Sequence, residues 1–160
     1  MPPDDERSNY LLAKHTLLDR IDRQPAEIHR IRGELDGETA AAEYHLELDG
    51  VTLGLAFQGL GPDGHTASLF PLAPALDERE RRAVAAQHED VERVTMTLPV
   101  LSAAAQVLYL VLGEKKAEAV RLAFQGDPDP VVPASLLRST HGETIVLLDR
   151  AAAARLDNGS

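Results

Sequence analysis

A short apolar run, Val51 to Phe57, opens into Gly59-Leu60-Gly61-Pro62-Asp63-Gly64, a loop with three glycines in six positions. A run this short, bounded by glycines, reads as a buried strand. Glycines at the strand's exit permit positive φ and bring backbone close to a ligand. Open α/β folds hold their ligands outside the carboxyl ends of the strands, so this junction constrains the fold and nominates a site together.

The remainder alternates in the same sense. Ser8 stands at an N-cap before an apolar repeat at Leu11, Leu12, His15, Leu18 and Ile21, which predicts a helix to about Ile21, stopped by Arg23-Gln24-Pro25. Ile28 to Ile31 alternates briefly, and Gly37 to Leu48 reads as a second helix. Ala83 to Ala86 and Val94 to Leu98 read as strands around an acidic turn at Glu89-Asp90, and Pro99 to Ala105 as a helix with proline in its first turn. Val107 to Leu112 is a strong strand that Gly113 turns into a helix from Glu114 to about Phe124. A proline-rich loop, Asp127 to Pro133, leads to a short helix, Ala134 to Arg138. Thr144 to Leu148 is the last strand and Ala151 to Leu156 the last helix. Such alternation predicts one α/β domain over 1–160: a mainly parallel, Rossmann-like sheet with helices on both faces.

Composition excludes several classes of function. The 160 residues carry 16 Lys plus Arg against 26 Asp plus Glu, a formal charge of −10, which disfavours nucleic acid and anionic membrane surfaces. With no cysteine there is no disulfide, no thiol nucleophile and no cysteine-based metal centre. No apolar run approaches the roughly 18–20 residues of a membrane span. The acidic opening Met1 to Arg7 lacks the features of a signal peptide, so a cytoplasmic location is expected.

Within the loop, His65 brings an imidazole, the side-chain type suited to proton transfer at physiological pH; Asp63, two residues earlier, can orient its ring. A Gly-Pro-Asp-Gly string taken alone is mostly a turn, and a single histidine is more often structural than catalytic. His15, His29, His45, His88 and His141 read as structural or solvated. No pair has the spacing of a metal site, so no metal and no cofactor are expected.

The whole string Gly59 to Pro71 resembles the signature of the 6-phosphogluconolactonases, in the superfamily of the glucosamine-6-phosphate isomerases and deaminases. The resemblance continues in Pro2-Pro3-Asp4-Asp5-Glu6-Arg7-Ser8-Asn9-Tyr10, in Arg93 to Pro99, in Gly113-Glu114-Lys115-Lys116-Ala117 and in Pro133-Ala134-Ser135. The deaminase branch continues its own D-G-H with I-A-F-N-E-P. Phe70 here occupies the place of that glutamate, which favours the lactonase.

The resemblance implies hydrolysis of 6-phospho-D-glucono-1,5-lactone in the pentose phosphate pathway, with His65 as general base on water and Asp63 orienting it. Gly61 and Gly64 would line the substrate, their loop's N–H groups donating to a developing oxyanion. Arg93 and Lys116 would hold the phosphate, with Lys115 the competitor of Lys116, and Ser8 and Asn9 would line the pocket mouth. A plain N-cap is the other reading of Ser8, a strand-end charge facing water or paired with Glu89 or Glu92 that of Arg93, and a solvated helix residue that of Lys116. Oligomeric state is not legible. Gln58 departs from the family strand, which is usually apolar there.

The resemblance also implies that the chain corresponds to the last two-thirds of a family member. Met1 stands in place of a valine, as a GTG codon read as a start would give. The family's phosphate loop S-G-G-S/T and its D-E-R motif would lie before that point. Unpaired central strands and uncovered apolar surface are then expected, and a non-catalytic or merely phosphosugar-binding chain is the alternative to an active lactonase.

Overall fold

The computed structural model describes residues 1–22 and 25–157. Three parallel strands lie in the order β1 (Leu55–Gln58), β4 (Gln106–Val111) and β5 (Glu143–Leu148). The register sets Phe57 beside Leu108 and Leu108 beside Ile145. Each crossover carries helix: α3 (Leu98–Ser102) precedes β4, and α4 (Ala117–Gln125) with α5 (Pro133–Leu136) joins β4 to β5. Between β1 and α3 the chain makes an antiparallel hairpin of β2 (Ala83–His88) and β3 (Val91–Met96), a separate two-stranded sheet. The α/β class and the parallel sheet agree with the alternation in sequence, whereas the two strands around Glu89-Asp90 stand outside the parallel sheet.

Alternation along each strand divides the parallel sheet into two unlike faces. Ala56, Val107, Tyr109 and Val111 point into the main core, where Val120 and Ala123 of α4, Ala134, Leu137 and Ala152 are fully buried or nearly so. The opposite face carries Leu55, Phe57, Leu110 and Leu147, which are 51%, 62%, 43% and 48% exposed. Helices on both faces were expected; among the described residues they cover one. Among the described residues the outer strand β1 pairs on one side only. A second cluster joins Tyr44 of α2 (Gly37–Glu47) and Leu48, which caps that helix, to Ala83 of β2.

Local elements differ from the sequence reading where packing fails to extend them. The helix expected from Ser8 to Ile21 is α1 (Asn9–Thr16) followed by a 3-10 turn, Leu18–Arg20. No residue of α1 is buried, and isolated helices this short are marginal without a packed face. Its expected stop at Arg23 and Gln24 lies outside the described residues. Ile28 to Ile31 forms no strand, and β1 begins at Leu55 rather than Val51. Ala151 to Leu156 is a run of turns, with Ala154 and Leu156 donating to the carbonyls of Ala151 and Ala153 instead of closing helical turns.

Candidate active site

β1 ends at the buried Gln58, and the chain leaves the sheet at its carboxyl edge. The loop closes on itself: the Gly61 N–H donates to the His65 carbonyl at 2.8 Å and the Gly64 N–H to the Gly61 carbonyl at 3.0 Å. Both glycine N–H groups are therefore used inside the turn, and a developing oxyanion needs other donors. Gly64 adopts φ 86°, and a Cβ there would lie 2.8 Å from Val132 Cγ1. At Gly61 a Cβ would lie 2.1 Å from His65 Nδ1 and 2.4 Å from Asp63 Oδ1. The absent side chain at position 61 is the space that the His65–Asp63 pair fills.

His65 Nδ1 lies 2.6 Å from Asp63 Oδ1, and the His65 backbone N–H reaches the same oxygen at 3.3 Å. Partial burial alone would raise the Asp63 pKa, but the hydrogen bonds from the His65 ring and backbone outweigh it and hold the carboxyl below its usual range. Asp63 is thus ionised near neutrality and accepts from Nδ1, so in the neutral form of the ring the lone pair is on Nε2. That is the tautomer a general base requires.

Three contacts hold the loop from beneath. The buried Thr66 hydroxyl lies 3.0 Å from Gln58 Oε1 and 2.9 Å from the Gly59 carbonyl, and donates to one of them. The Ser68 N–H donates to Thr95 Oγ1 of β3 at 3.2 Å. The Ala134 N–H donates to the Gly64 carbonyl at 3.0 Å, so Pro133-Ala134-Ser135 meets the glycine loop directly. Gln58, unexpected in a buried strand, finds a partner in Thr66.

The cationic candidates divide between two places. Ser8, Asn9, Ser68 and Arg93 share a cleft of about 780 Å³ between α1 and β3, and neither His65, Asp63 nor Lys116 lines it. Glu92 does not pair with Arg93; its carboxylate accepts the Gly37 N–H at 2.7 Å, at the start of α2. The Arg93 side chain is exposed and has no hydrogen-bond or ionic partner among the described residues. Ser8 is both a cap and a cleft residue, its hydroxyl accepting the Leu11 N–H at 3.4 Å.

Lys116 ends a 3-10 turn, Glu114–Lys116, directly before α4. It is half-buried while Lys115 is exposed. Gly113, with φ 94°, starts that turn, and its N–H donates to the Asp149 carboxylate at 3.0 Å. Because β1 and β4 are parallel neighbours, Lys116 and the glycine loop occupy the same edge of the sheet.

Of the two readings open for His88, structural or solvated, the structure shows the first. Its ring stacks on Phe70, with centroids 4.1 Å apart and planes 6° apart, and lies 6.2 Å from the His65 ring. A signal for this was present: period-two alternation puts His88 on the face of Val84 and Ala86, both buried. Among the other histidines, His29 lies between Glu27 and Glu47, and His45 Nδ1 accepts the Arg82 N–H.

The sequence profile of the glucosamine-6-phosphate isomerases/6-phosphogluconolactonase family matches residues 1–146. The chain belongs to this family. It is 35% identical to a probable 6-phosphogluconolactonase of Arabidopsis thaliana over 94% of this chain and 64% of the relative. It is 36% identical to the 6-phosphogluconolactonase of Homo sapiens over 96% of this chain and 63% of the relative. The crystal structure of a devB protein superposes with a TM-score of 0.84 at 36% identity, covering 98% of this chain and 70% of that one. The chain thus spans under two thirds of the length of the first two relatives.

Proposed function

We propose that the chain carries the base-catalytic part of a 6-phosphogluconolactonase site and hydrolyses 6-phospho-D-glucono-1,5-lactone to 6-phosphogluconate. The observation that carries the reading is the His65–Asp63 pair at 2.6 Å, on a strand-end loop of a chain that belongs to this family. His65 Nε2 takes a proton from water as the oxygen attacks C1 of the lactone. Asp63 keeps the ring oriented and stabilises the imidazolium. The tetrahedral intermediate collapses, the bond from C1 to the ring oxygen breaks, and the imidazolium returns its proton to that oxygen. Gly61 and Gly64 serve this site by the room they leave. Arg93, unpaired in the cleft with Ser8 and Asn9, and the half-buried Lys116 are the cations for the phosphate. An acidic chain without cysteine, among whose described residues no helix can cross a membrane, suits the cytoplasm.

A second reading, phosphosugar binding without turnover, is favoured by the exposed Leu55 and Phe57 and the free side of β1. A deaminase has less support, since Phe70 offers a phenyl ring 5.1 Å from His65 where that chemistry wants a carboxylate. Lactone hydrolysis by the purified chain, measured beside His65→Ala above the spontaneous rate, tests the assignment. Turnover lost in the variant is the expected result. Turnover that survives it would remove His65 from the mechanism, and a folded chain that binds but does not turn over would leave the second reading standing.

A further inference from the structure

The hydrogen bond to Asp63 anchors one nitrogen of His65 but leaves its imidazole free to swing about that anchor. A general base must aim its lone pair at a proton within about 2.6–3.2 Å, so something has to hold the tilt of the ring. Phe70 stands against it, centroids 5.1 Å apart and planes at 50°. Phe70 is 6% exposed, and the His88 ring lies parallel against it. His88 closes β2 at its pairing with Val91, so a two-residue turn, Glu89-Asp90, sets its position, and the Gln87 side-chain amide donates to the Glu89 carbonyl at 2.7 Å. The hairpin is in turn tied to the loop through Ser68 and Thr95. Two elements distant in sequence therefore converge on one ring.

We propose that His88 is a positioning residue for His65: stacked face to face on Phe70, it holds the phenyl ring as the wall that fixes the tilt of the imidazole and the aim of Nε2. The role belongs to the flat ring and not to its nitrogens. It deepens the proposed lactonase function and rests on His65 as its base.

The test compares His88→Ala, His88→Asn and His88→Phe with the parent chain and His65→Ala, reading kcat, KM and the ring resonances of His65 by NMR. Loss of the ring in the alanine and asparagine variants should lower kcat about tenfold, within the roughly hundredfold that a 1 Å misplacement costs, and leave KM within about twofold. It should also shift the His65 ring resonances, and His88→Phe should restore both. Parental kcat with unshifted resonances in His88→Ala would overturn the proposal. So would a His88→Phe variant as impaired as His88→Ala, because the effect would then lie in the nitrogens. If His65→Ala keeps its turnover, the base reading fails by itself, and the His65 resonances in the His88 variants still decide whether the stack orients that ring. The resonances decide alone if the chain has no turnover.

Discussion

His65 Nδ1 and Asp63 Oδ1 meet at 2.6 Å in a space that exists because residue 61 has no side chain. The pair is a consequence of backbone geometry: Gly61 and Gly64 close the turn, and the two side chains fold back over Gly61.

Gly61→Ala should therefore separate the pair while sparing the fold. The atoms nearest the added methyl belong to two side chains, which can move. We expect kcat to fall by about 10²–10⁴, the usual contribution of a positioned base, with a thermal midpoint close to the parent's. A fall in midpoint as large as that of a core cavity would instead make Gly61 a folding residue.

Asp63→Asn links the same pair to acid stability. The folded pKa of Asp63 lies below its ordinary 3.8, so the ionised carboxylate stabilises the fold above that pH. This contribution disappears as the pH falls through the folded pKa. The parent's urea midpoint should accordingly drop further between pH 5 and pH 3 than that of Asp63→Asn. Every other depressed carboxylate is common to both proteins, so equal drops would mean that the pair adds nothing to stability.

Glu89 adopts φ 53° at the first position of the two-residue turn between β2 and β3, a place that favours glycine. An L-residue there costs roughly 1–2 kcal/mol, and the flexibility of glycine in the unfolded chain takes back part of any gain. Glu89→Gly should raise stability by about 0.5–1 kcal/mol, read as a higher thermal midpoint. A lower midpoint would show that the turn tolerates Glu89 without strain.

Thr66 and Gln58 form a buried pair beneath the loop. Thr66→Val removes the hydroxyl that lies within reach of the Gln58 amide oxygen and the Gly59 carbonyl and should cost about 1–3 kcal/mol. Gln58→Leu with Thr66→Val should cost less than the two single changes added together, since neither then strands a polar partner. Strict additivity in denaturant unfolding would mean that the two side chains do not interact.

Much of this molecule is legible in the residues themselves. The parallel strands β1, β4 and β5 show as short apolar runs, the pattern of strands apolar on both faces. The glycine loop shows because only glycine tolerates φ 86° at position 64 and the crowding at 61. Asp63 and His65 are near neighbours in the chain, so their bond follows from local turn geometry. Lys116 is readable as part of the first turn after the strand, because strand, glycine and helix follow one another in sequence; that this turn is 3-10 and α4 starts one residue later is not.

What stayed hidden depends on contacts between distant segments. Alternation predicted two strands around Glu89-Asp90, but only packing against α2 and the Ser68 tie to Thr95 make them a separate hairpin beside the site. His88 reached Phe70 by that route, across 18 residues of chain, through van der Waals contact that leaves no mark on either residue's neighbourhood in sequence. Arg93 has two acids beside it in sequence, and it is the tertiary fold that takes Glu92 away from it, to the start of α2. Uncovered apolar surface was expected from the resemblance, but that it would be the face of Leu55, Phe57, Leu110 and Leu147 was a tertiary outcome. Apolar periodicity says that a strand wants cover, and only the assembled layers decide which face receives it.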